Sequence, residues 1–281
     1  MSVMRDAVAI ELKNLSVTYR GGEGGRTVHA VRDCSFSVAR GDVLGIVGES
    51  GSGKSSVLMA IPRLLPASAL VTGGIFCDGT EISSLDERGM GVWRWRRIAL
   101  VPQSAMNSFT PHITIERHIT EVLEHHMRTP RRDARERAEE LLWTVRLDGS
   151  AGARYPHELS GGQKQRAALA TALACGPDFL LADEPTTALD VITQKEVLDM
   201  TVSLVRERGM GLLLVTHDLP LAAGICDSLV VMREGAIVES GPSQQVASNP
   251  ENDYTKLLIG AIRDMERPRG LEETPARKTR G

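Results

Sequence analysis

The chain has 281 residues, of which 42% are hydrophobic and 25% charged, and its formal net charge is -3. Such a length can bury a sizeable core in one or two lobes, and the composition is typical of a globular protein. The small negative charge gives no electrostatic reason to expect a nucleic-acid partner. We recognise no secretory signal at the start and no apolar run near the roughly 20 residues of a membrane-spanning helix. Work at a membrane would require docking on other subunits.

The cysteines point to a reducing compartment. They are far apart in the sequence and form no C-x-x-C pair, so neither a disulfide framework nor a thiolate metal site is indicated. We predict reduced, mostly buried thiols in a cytosolic chain. The cysteines are Cys34, Cys77, Cys175 and Cys226.

The first hundred residues read mainly as strands, with one helix. Alternating apolar and polar residues indicate half-buried strands on either side of a glycine-rich turn, and a short apolar strand then runs through glycine-rich sequence into the helix. In chain order the predicted strands are Ala9–Tyr19, Val28–Val38, Asp42–Val47, Gly74–Asp78 and Ile98–Pro102, and the helix is Lys54–Leu64.

The pattern changes to helices at about residue 104, and strand–helix alternation resumes after about residue 175. This order predicts an α/β fold with a mostly parallel sheet covered on both faces, and a helical subdomain, roughly residues 104–175, inserted into it. We assign residues 1–262 to one domain. The charged, proline-bearing segment 263–281 is predicted to be a mobile tail. The predicted helices are Ile115–Arg128, Asp133–Val145, Gln163–Ala174, Val191–Arg208 and Leu219–Cys226, and the strands are Phe179–Ala182, Leu212–Thr216 and Leu229–Met232.

A phosphate-binding loop follows the third predicted strand. The segment Gly48–Ser55 fits G-x-x-x-x-G-K-[ST] and lies between a strand and a helix, which is the context this motif requires. Its backbone N–H groups would surround phosphate oxygens, Lys54 would reach the β- and γ-phosphates, and the Ser55 hydroxyl would bind Mg²⁺. The candidate nucleotide-binding residues here are Gly48, Glu49, Ser50, Gly51, Ser52, Gly53, Lys54, Ser55 and Ser56.

Two acidic residues follow a second buried strand. Asp183 stands at the end of the strand that begins at Phe179, and Glu184 comes next. Because ligands bind at the carboxyl ends of parallel strands, Asp183 should lie near the phosphate loop and help to hold Mg²⁺. Glu184 is then the candidate to accept or orient a proton of the attacking water.

Further motifs resemble those of ATP-binding-cassette (ABC) proteins. Leu159-Ser-Gly-Gly-Gln163 matches the family's signature sequence, Gln103 its Q-loop glutamine, 188–190 (Ala-Leu-Asp) its D-loop, and His217 its switch histidine. Tyr19 lies where the family places an aromatic residue that stacks on adenine. All follow the family's order, and the resemblance covers about residues 8 to 262. It makes Gln103 and His217 catalytic candidates beside Glu184, with Gln103 also a candidate Mg²⁺ ligand.

The resemblance implies a fold and a mode of assembly. The fold would be a P-loop NTPase of the RecA-like type, with a mostly parallel sheet, an antiparallel β subdomain near the N-terminus and the inserted helical signature subdomain. Two such subunits, identical or different, would pair head to tail. Each ATP would be bound by the phosphate loop of one chain and by residues Ser160, Gly161, Gly162 and Gln163 of the other.

The context of these motifs resembles the peptide/nickel importer branch of the family. The segments 101–108 (Val-Pro-Gln-Ser-Ala-Met-Asn-Ser), 155–158 (Tyr-Pro-His-Glu) and 254–258 (Tyr-Thr-Lys-Leu-Leu) carry this likeness, although Asn252 and Asp253 replace a usual His-Pro. This implies an ATPase peripheral to the cytoplasmic face of the inner membrane, two permease partners and, indirectly, an external solute-binding protein. Dipeptides, oligopeptides, nickel, metallophores and opine-like solutes all remain open, and the tail has no cysteine to hold an iron–sulfur cluster.

Two other functions are weighed against import. One is a soluble ABC ATPase acting on DNA or ribosomes, but the helical segment is too short for a coiled-coil insertion and only one phosphate loop is present. The other is a nucleotide sensor that binds ATP without hydrolysing it. The presence of Glu184, the candidate catalytic carboxylate, argues against this second function.

Three histidines share one predicted helix: His118, His125 and His126. No further ligand completes a metal site there, and we expect these histidines to have a surface or packing role.

Overall fold

The computed structural model describes residues 9–21 and 25–266, with side chains up to residue 260. Within this range ten strands form two sheets, and nine α-helices surround them. The strands are β1 Ala9–Tyr19, β2 Val28–Ala39, β3 Val43–Val47, β4 Ala69–Cys77, β5 Thr80–Glu81, β6 Ile98–Val101, β7 Phe179–Asp183, β8 Gly211–Thr216, β9 Ser228–Arg233 and β10 Ala236–Pro242. The helices are α1 Lys54–Ala60, α2 Glu87–Trp93, α3 Ile115–Val122, α4 Arg131–Thr144, α5 Gly161–Ala172, α6 Val191–Glu207, α7 Leu219–Ile225, α8 Ser243–Ser248 and α9 Asp253–Glu266.

The two sheets match the predicted fold class. The smaller sheet is antiparallel, with strand order β2-β1-β4-β5, and the larger has the order β10-β9-β3-β8-β7-β6. In the larger sheet β9, β3, β8, β7 and β6 run parallel, and β10 pairs antiparallel with β9. The carboxyl ends of the parallel strands share one edge, so the loops after β3, β6, β7 and β8 meet there.

The core lies on both faces of the larger sheet. Along β3, Val43 and Val47 point into one buried cluster with the helical subdomain, whereas Leu44 and Ile46 point into another with α1 and the antiparallel sheet. This division follows from the alternation of side chains along a strand. Each fully buried aliphatic side chain contributes about 1.5–3 kcal/mol to folding. The parallel strands carry polar residues only at their ends, as expected for a sheet covered on both sides.

The inserted helices α3, α4 and α5 form the helical subdomain, which packs on the first of these clusters. Ile115, Ile119 and Leu123 recur every four residues and make the buried stripe of α3 and the turn after it. The helix changes to a π-type turn over Leu123–Met127 and ends at Arg128, whose φ is +55°. The predicted continuous helix 115–128 is therefore one helical segment with a wider last turn.

Several predicted boundaries need correction. The helix predicted as Lys54–Leu64 ends at Ala60. Ile61 still has helical backbone angles, but Pro62 has no N–H to continue the helical hydrogen bonds. At the other end, α9 continues to Glu266, so the segment predicted to be a mobile tail from residue 263 begins as helix; residues 267–281 lie outside the described part. Helices α2, α8 and α9 and strands β5 and β10 were not predicted. Glycines or polar residues interrupt the apolar pattern of all of these except α9, where Tyr254, Leu258 and Ile262 recur every four residues, a helical spacing that the sequence prediction missed.

The cysteine prediction is confirmed where it concerns burial. All four thiols are free and buried. Burial raises the pKa of Cys34 and Cys175 to about 11, and that of Cys77 and Cys226 to about 12. At neutral pH these groups therefore pack as small apolar side chains and are poor nucleophiles.

Candidate functional site

The loop after β3 is packed so closely that two of its residues must be glycine. A Cβ atom on Gly48 would lie 2.2 Å from the carbonyl oxygen of Met232, and one on Gly53 would lie 2.2 Å from that of Ala30. Both residues have positive φ, +152° and +101°. Backbone atoms of β2 and β9 thus hold the loop in its curled form, and α1 begins directly after it.

Lys54 is folded back over this loop. Its Nζ donates hydrogen bonds of 2.8 Å to the carbonyl oxygens of both Gly48 and Glu49, and the residue is only 5% exposed. Burial lowers the pKa of Lys54, an effect that the nearby Glu184 and Asp183 carboxylates oppose. A buried cation bonded only to loop oxygens is well placed to gain a phosphate oxygen as a stronger partner.

Ser55 and Asp183 form an oxygen pair beside the lysine. The Ser55 hydroxyl donates to Asp183 Oδ1 over 3.0 Å, and Asp183 is 2% exposed at the end of β7. Burial raises the pKa of Asp183, while the Ser55 hydrogen bond and the charge of Lys54 act in the other direction. A hydroxyl and a carboxylate are the hard oxygen donors that Mg²⁺ prefers, so the residues present fit that ion.

Glu184 is the point where three loops converge. Its carboxylate lies 3.3 Å from Gln103 Nε2, 3.2 Å from His217 Nδ1 and 3.0 Å from Thr187 Oγ1. The residue has φ +42°, and its N–H donates to Val215 on β8. A cavity of about 90 Å³ adjoins Glu184, Thr187 and His217, which is room for water. The structure thus brings together the three predicted catalytic residues from the ends of β6, β7 and β8.

Tyr19 also lies at the phosphate loop. Its hydroxyl is 3.0 Å from the hydroxyl of Ser56 in the first turn of α1, and its ring is partly exposed at the end of β1. A tyrosine in this place can offer one face to a flat ring bound beside the loop. The stacking role predicted for Tyr19 therefore stays a prediction, with the residue at the expected side of the site.

The signature residues begin α5 at the surface of the helical subdomain. The Gln163 N–H donates to Ser160 Oγ over 3.3 Å, and the Ser160 N–H donates to Gln163 Oε1 over 3.0 Å, which is a capping box. Ser160 and Gly161 are exposed. Among the described residues no hydrogen bond joins 160–163 to the phosphate loop of the same chain. This arrangement leaves the signature free to meet a ligand held by another molecule.

A groove of about 510 Å³ separates the helical subdomain from the core. Its lining is mainly apolar and includes Phe109, Val122 and three histidines of the α3 segment: His118, His125 and His126. His118 packs edge-on against Phe109, and His126 stacks on Trp95. Burial lowers the pKa of both His118 and His126. In the part of the chain that the structure covers, no group of three or more His, Cys, Asp or Glu side chains is placed to hold a metal ion.

The comparison with known proteins agrees with this geometry. The sequence pattern of the family described as ABC transporter matches residues 31–187, more than half of the chain. The chain belongs to the ABC transporter family. Over 97% of its length it is 41% identical to a protein of Brucella abortus named as a peptide import ATP-binding protein, and it covers 81% of that protein. The predicted membership of the ABC family is confirmed, and so is the ATPase activity that it implies.

Other ABC relatives and solved structures extend the comparison. The chain is 36% identical, over 93% of its length, to a D,D-dipeptide transport ATP-binding protein of Escherichia coli K12, covering 80% of it. It is 41% identical, over 95% of its length, to the peptidoglycan transport ATP-binding protein YejF of Agrobacterium fabrum, but spans about half (49%) of that protein. The ATP-binding cassette MJ0796, described as a dimer in a post-hydrolysis state bound to ADP and Pi, aligns with a TM-score of 0.73 and 29% identity over 83% of this chain and 98% of its own.

These findings separate the functional alternatives. The chain is the ATP-binding and ATP-hydrolysing subunit of an ABC transporter, and its relatives named for peptide import give no support to a protein acting on DNA or ribosomes. Within residues 9–21 and 25–266, no helix is both long and apolar enough to cross a bilayer.

Some contacts at the site were not predicted from the sequence. Thr187, inside the motif 183–190, donates to both the carboxylate and the carbonyl of Glu184. Tyr254 accepts a hydrogen bond from the Glu49 N–H, and the Gly235 N–H donates to the Ser52 carbonyl. The hydroxyl of Thr187, three residues after Glu184, was a usable signal. For Tyr254 and Gly235 the sequence offered none, since both lie more than 180 positions from the loop they contact.

Proposed function

We propose that this ABC ATPase powers uptake of short peptides through partner permease subunits. The observation that carries the catalytic part is the convergence of Gln103 and His217 on Glu184, beside the Ser55–Asp183 pair. The solute class is supported by relatives named for peptide import and dipeptide transport. Residues 1–262 form one cassette domain in this proposal, with the helical subdomain, roughly 104–175, inserted into it.

The phosphate loop supplies most of the ATP site. Its N–H groups and Lys54 would bind the phosphates, and Lys54 would exchange the carbonyl oxygens of Gly48 and Glu49 for phosphate oxygens. The nucleotide-binding residues are Gly48, Glu49, Ser50, Gly51, Ser52, Gly53, Lys54, Ser55 and Ser56, with Tyr19 against the adenine.

Hydrolysis depends on a water held next to Glu184. Bound Mg²⁺ supplies charge neutralisation at the phosphates, and Ser55, Asp183 and Gln103 are the residues that would hold it. The Glu184 carboxylate accepts a proton from the attacking water, while Gln103 and His217 keep that carboxylate oriented. Glu184 has φ +42°, and its carboxylate contacts both of these partners.

The second half of each ATP site would come from another cassette. Ser160, Gly161, Gly162 and Gln163 are at the exposed start of α5, where helix N–H groups attract an anion. In a head-to-tail dimer they would contact the γ-phosphate bound by the partner's loop. The dimeric state of the structural neighbour supports such pairing. Loss of the γ-phosphate on hydrolysis would then weaken the dimer.

Contact with the permeases is proposed at the groove between the helical subdomain and the core. Its apolar lining and its position close to the loop 103–110 suit a short permease helix, whose movement would follow that of the helical subdomain. The chain would be peripheral at the cytoplasmic face of the inner membrane, and an external solute-binding protein would select the solute.

The test combines purification and uptake. The tagged chain, isolated from membranes of its native host, should carry two integral membrane subunits with it. A host carrying the Glu184→Gln allele should lose uptake of labelled di- and tripeptides, whereas a Glu207→Gln allele, at the far end of α6, should not. Co-purification with ribosomes or DNA, or normal peptide uptake in the Glu184→Gln host, would contradict the proposal.

A further inference from the structure

The peptide unit between Gly48 and Glu49 is held at both of its ends. Its carbonyl oxygen accepts the 2.8 Å hydrogen bond from Lys54 Nζ, and its N–H donates to the hydroxyl of Tyr254 over 3.3 Å. The orientation of this one peptide therefore depends on the lysine of the loop and on a tyrosine from the C-terminal helix α9. A rotation of the peptide would break both hydrogen bonds at once.

Tyr254 has little freedom to move. It is 7% exposed, and the guanidinium of Arg233 lies 4.9 Å from the centre of its ring. Its own N–H donates to Asn252 Oδ1 over 2.9 Å at the start of α9. Burial raises the pKa of Tyr254, so the hydroxyl stays neutral and can accept from a backbone N–H at physiological pH.

Strand β10 fixes the segment that carries Tyr254. The carboxylate of Glu239 accepts hydrogen bonds from the N–H groups of Glu251 and Asn252, at 2.8 and 3.2 Å. The turn between β9 and β10 also reaches the phosphate loop, because the Gly235 N–H donates to the Ser52 carbonyl over 3.0 Å. The C-terminal third of the chain thus holds the loop at two separate points.

We propose that Tyr254 is a positioning residue of the ATP site, and that α9 is thereby a structural part of phosphate binding. The proposal adds a positioning residue to the ATP site proposed above, and it rests on that proposed function. Loop N–H groups bind phosphates strongly only when they already point at the phosphate site before binding. If binding has to order the loop, the entropy cost weakens the affinity for ATP. Without the hydroxyl, the Glu49 N–H loses its partner and the carbonyl that Lys54 uses is free to turn.

The test removes only the hydroxyl. Tyr254→Phe keeps the ring against Arg233, and the full chain is titrated with a fluorescent ATP analogue and assayed for hydrolysis. Loss of one hydrogen bond predicts a 3- to 10-fold higher Kd, on the order of its usual contribution. The KM for ATP should rise in parallel, and kcat at saturating ATP should change less than about twofold. Tyr155→Phe, which removes an exposed hydroxyl from the helical subdomain, is the matched control.

Two further readouts separate positioning from a general loss of structure. In Tyr254→Phe the amide hydrogens of peptides spanning 48–53 should exchange faster, with those of β7 and β8 unchanged. Glu239→Gln, which weakens the support of the same segment, should raise Kd in the same direction. Its effect combined with Tyr254→Phe should be less than the sum of the two free-energy changes, because both act on one contact.

The outcomes are distinct. A Kd and an exchange rate equal to those of the wild-type chain in both variants would overturn the role of Tyr254 and leave the ATPase function intact. A wild-type chain that does not bind ATP with Mg²⁺ would overturn both proposals. A higher Kd with local loss of exchange protection and an unchanged kcat supports the positioning role.

Discussion

Glu184 shows how single residues are prepared for catalysis at this site. It adopts a left-handed backbone that non-glycine residues rarely adopt, and its carboxylate contacts side chains from three loops. Strain of this kind persists only where the surroundings hold it, and it concentrates at functional positions. The unfavourable backbone conformation of Glu184 is therefore expected at a residue whose carboxylate must point at the attacking water.

The first prediction concerns this carboxylate. Glu184→Gln should keep ATP affinity within about twofold and reduce kcat by about 10²- to 10⁴-fold, because an amide is a far poorer proton acceptor. Steady-state hydrolysis and ATP titration measure the two effects. Glu207→Gln serves as the control. Turnover close to that of the wild-type chain would remove Glu184 from the role of general base.

The second prediction concerns stability and pH at Asp183. Burial raises its folded-state pKa, so at neutral pH its ionised form costs folding energy. Asp183→Asn should therefore raise the free energy of unfolding at pH 7.5 by about 1 kcal/mol, since active-site groups commonly exchange stability for function. The gain should shrink as pH falls through the folded-state pKa and vanish below the unfolded value of about 3.9.

Urea unfolding of the nucleotide-free chain at pH 7.5 and pH 4.5 measures this change. Asn can still accept the Ser55 hydrogen bond, so the packing is preserved. Hydrolysis with Mg²⁺ should fall at least about 100-fold in the same variant. A less stable Asp183→Asn chain at pH 7.5 would show that the carboxylate is net stabilising.

Among the elements, the starts of α5 and α6 are packed against each other. A Cβ on Gly162 would lie 2.7 Å from the methyl carbon of Thr193, and one on Gly161 would lie 3.2 Å from a methyl of Leu189. Asp190 caps α6 by accepting from the Thr193 N–H over 3.0 Å. The signature and the D-loop are therefore mechanically joined, so a shift of the helical subdomain reaches the segment that follows Glu184.

The third prediction tests this contact. Gly162→Ala should lower the free energy of unfolding by about 1–3 kcal/mol, because the added methyl overpacks the junction. Thr193→Ser removes the opposing methyl, and the double variant should regain most of the loss. Urea unfolding of the two single variants and the double variant completes the cycle. If the losses of unfolding free energy in the two single variants simply add in the double variant, then contact with the Thr193 methyl is not the reason that position 162 requires glycine.

For the whole molecule, the central question is where the second half of the ATP site comes from. The signature start of α5 is exposed and is capped by Ser160. Among the described residues, no hydrogen bond joins 160–163 to the phosphate loop of the same chain. A second cassette supplies the simplest completion, and ATP would then hold two chains together.

The fourth prediction uses the cap itself. Asp and Asn cap helices about equally well, so Ser160→Asp and Ser160→Asn should fold alike. Only Ser160→Asp brings a negative charge to a γ-phosphate bound by the partner. In a Glu184→Gln background with ATP and Mg²⁺, Ser160→Asn should still form dimers, and Ser160→Asp should remain monomeric, with ATP binding to each chain unchanged. Light scattering measures the mass, and dimers of equal strength in both variants would contradict the arrangement.

Much of the site was predictable because its parts are local in sequence. The loop that ends in Lys54 and Ser55, and the carboxylates Asp183 and Glu184, each follow a buried parallel strand, and such strand ends meet at one edge of a sheet. Here sequence order and strand direction were sufficient. The signature residues, Gln103 and His217 were identified through their resemblance to the motifs of the ABC family.

Other features depended on distant contacts. The end of α1 at Ala60 follows from Pro62, but strand β10 had no comparable sequence signal. Gly235 and Tyr254 contact the phosphate loop through hydrogen bonds that join distant segments of the chain. No sequence pattern predicts which backbone group a residue will contact when the two are more than 180 positions apart.

The sequence by itself therefore determined the chemistry: a phosphate loop, a carboxylate pair and a signature helix start, because each is a short motif whose backbone geometry is set by its own residues. The tertiary structure alone decided how Gln103 and His217 contact the Glu184 carboxylate and which residues hold the phosphate loop in place. Those contacts depend on how the sheet edge, the helical subdomain and the C-terminal helix pack together, and packing is a property of the whole chain.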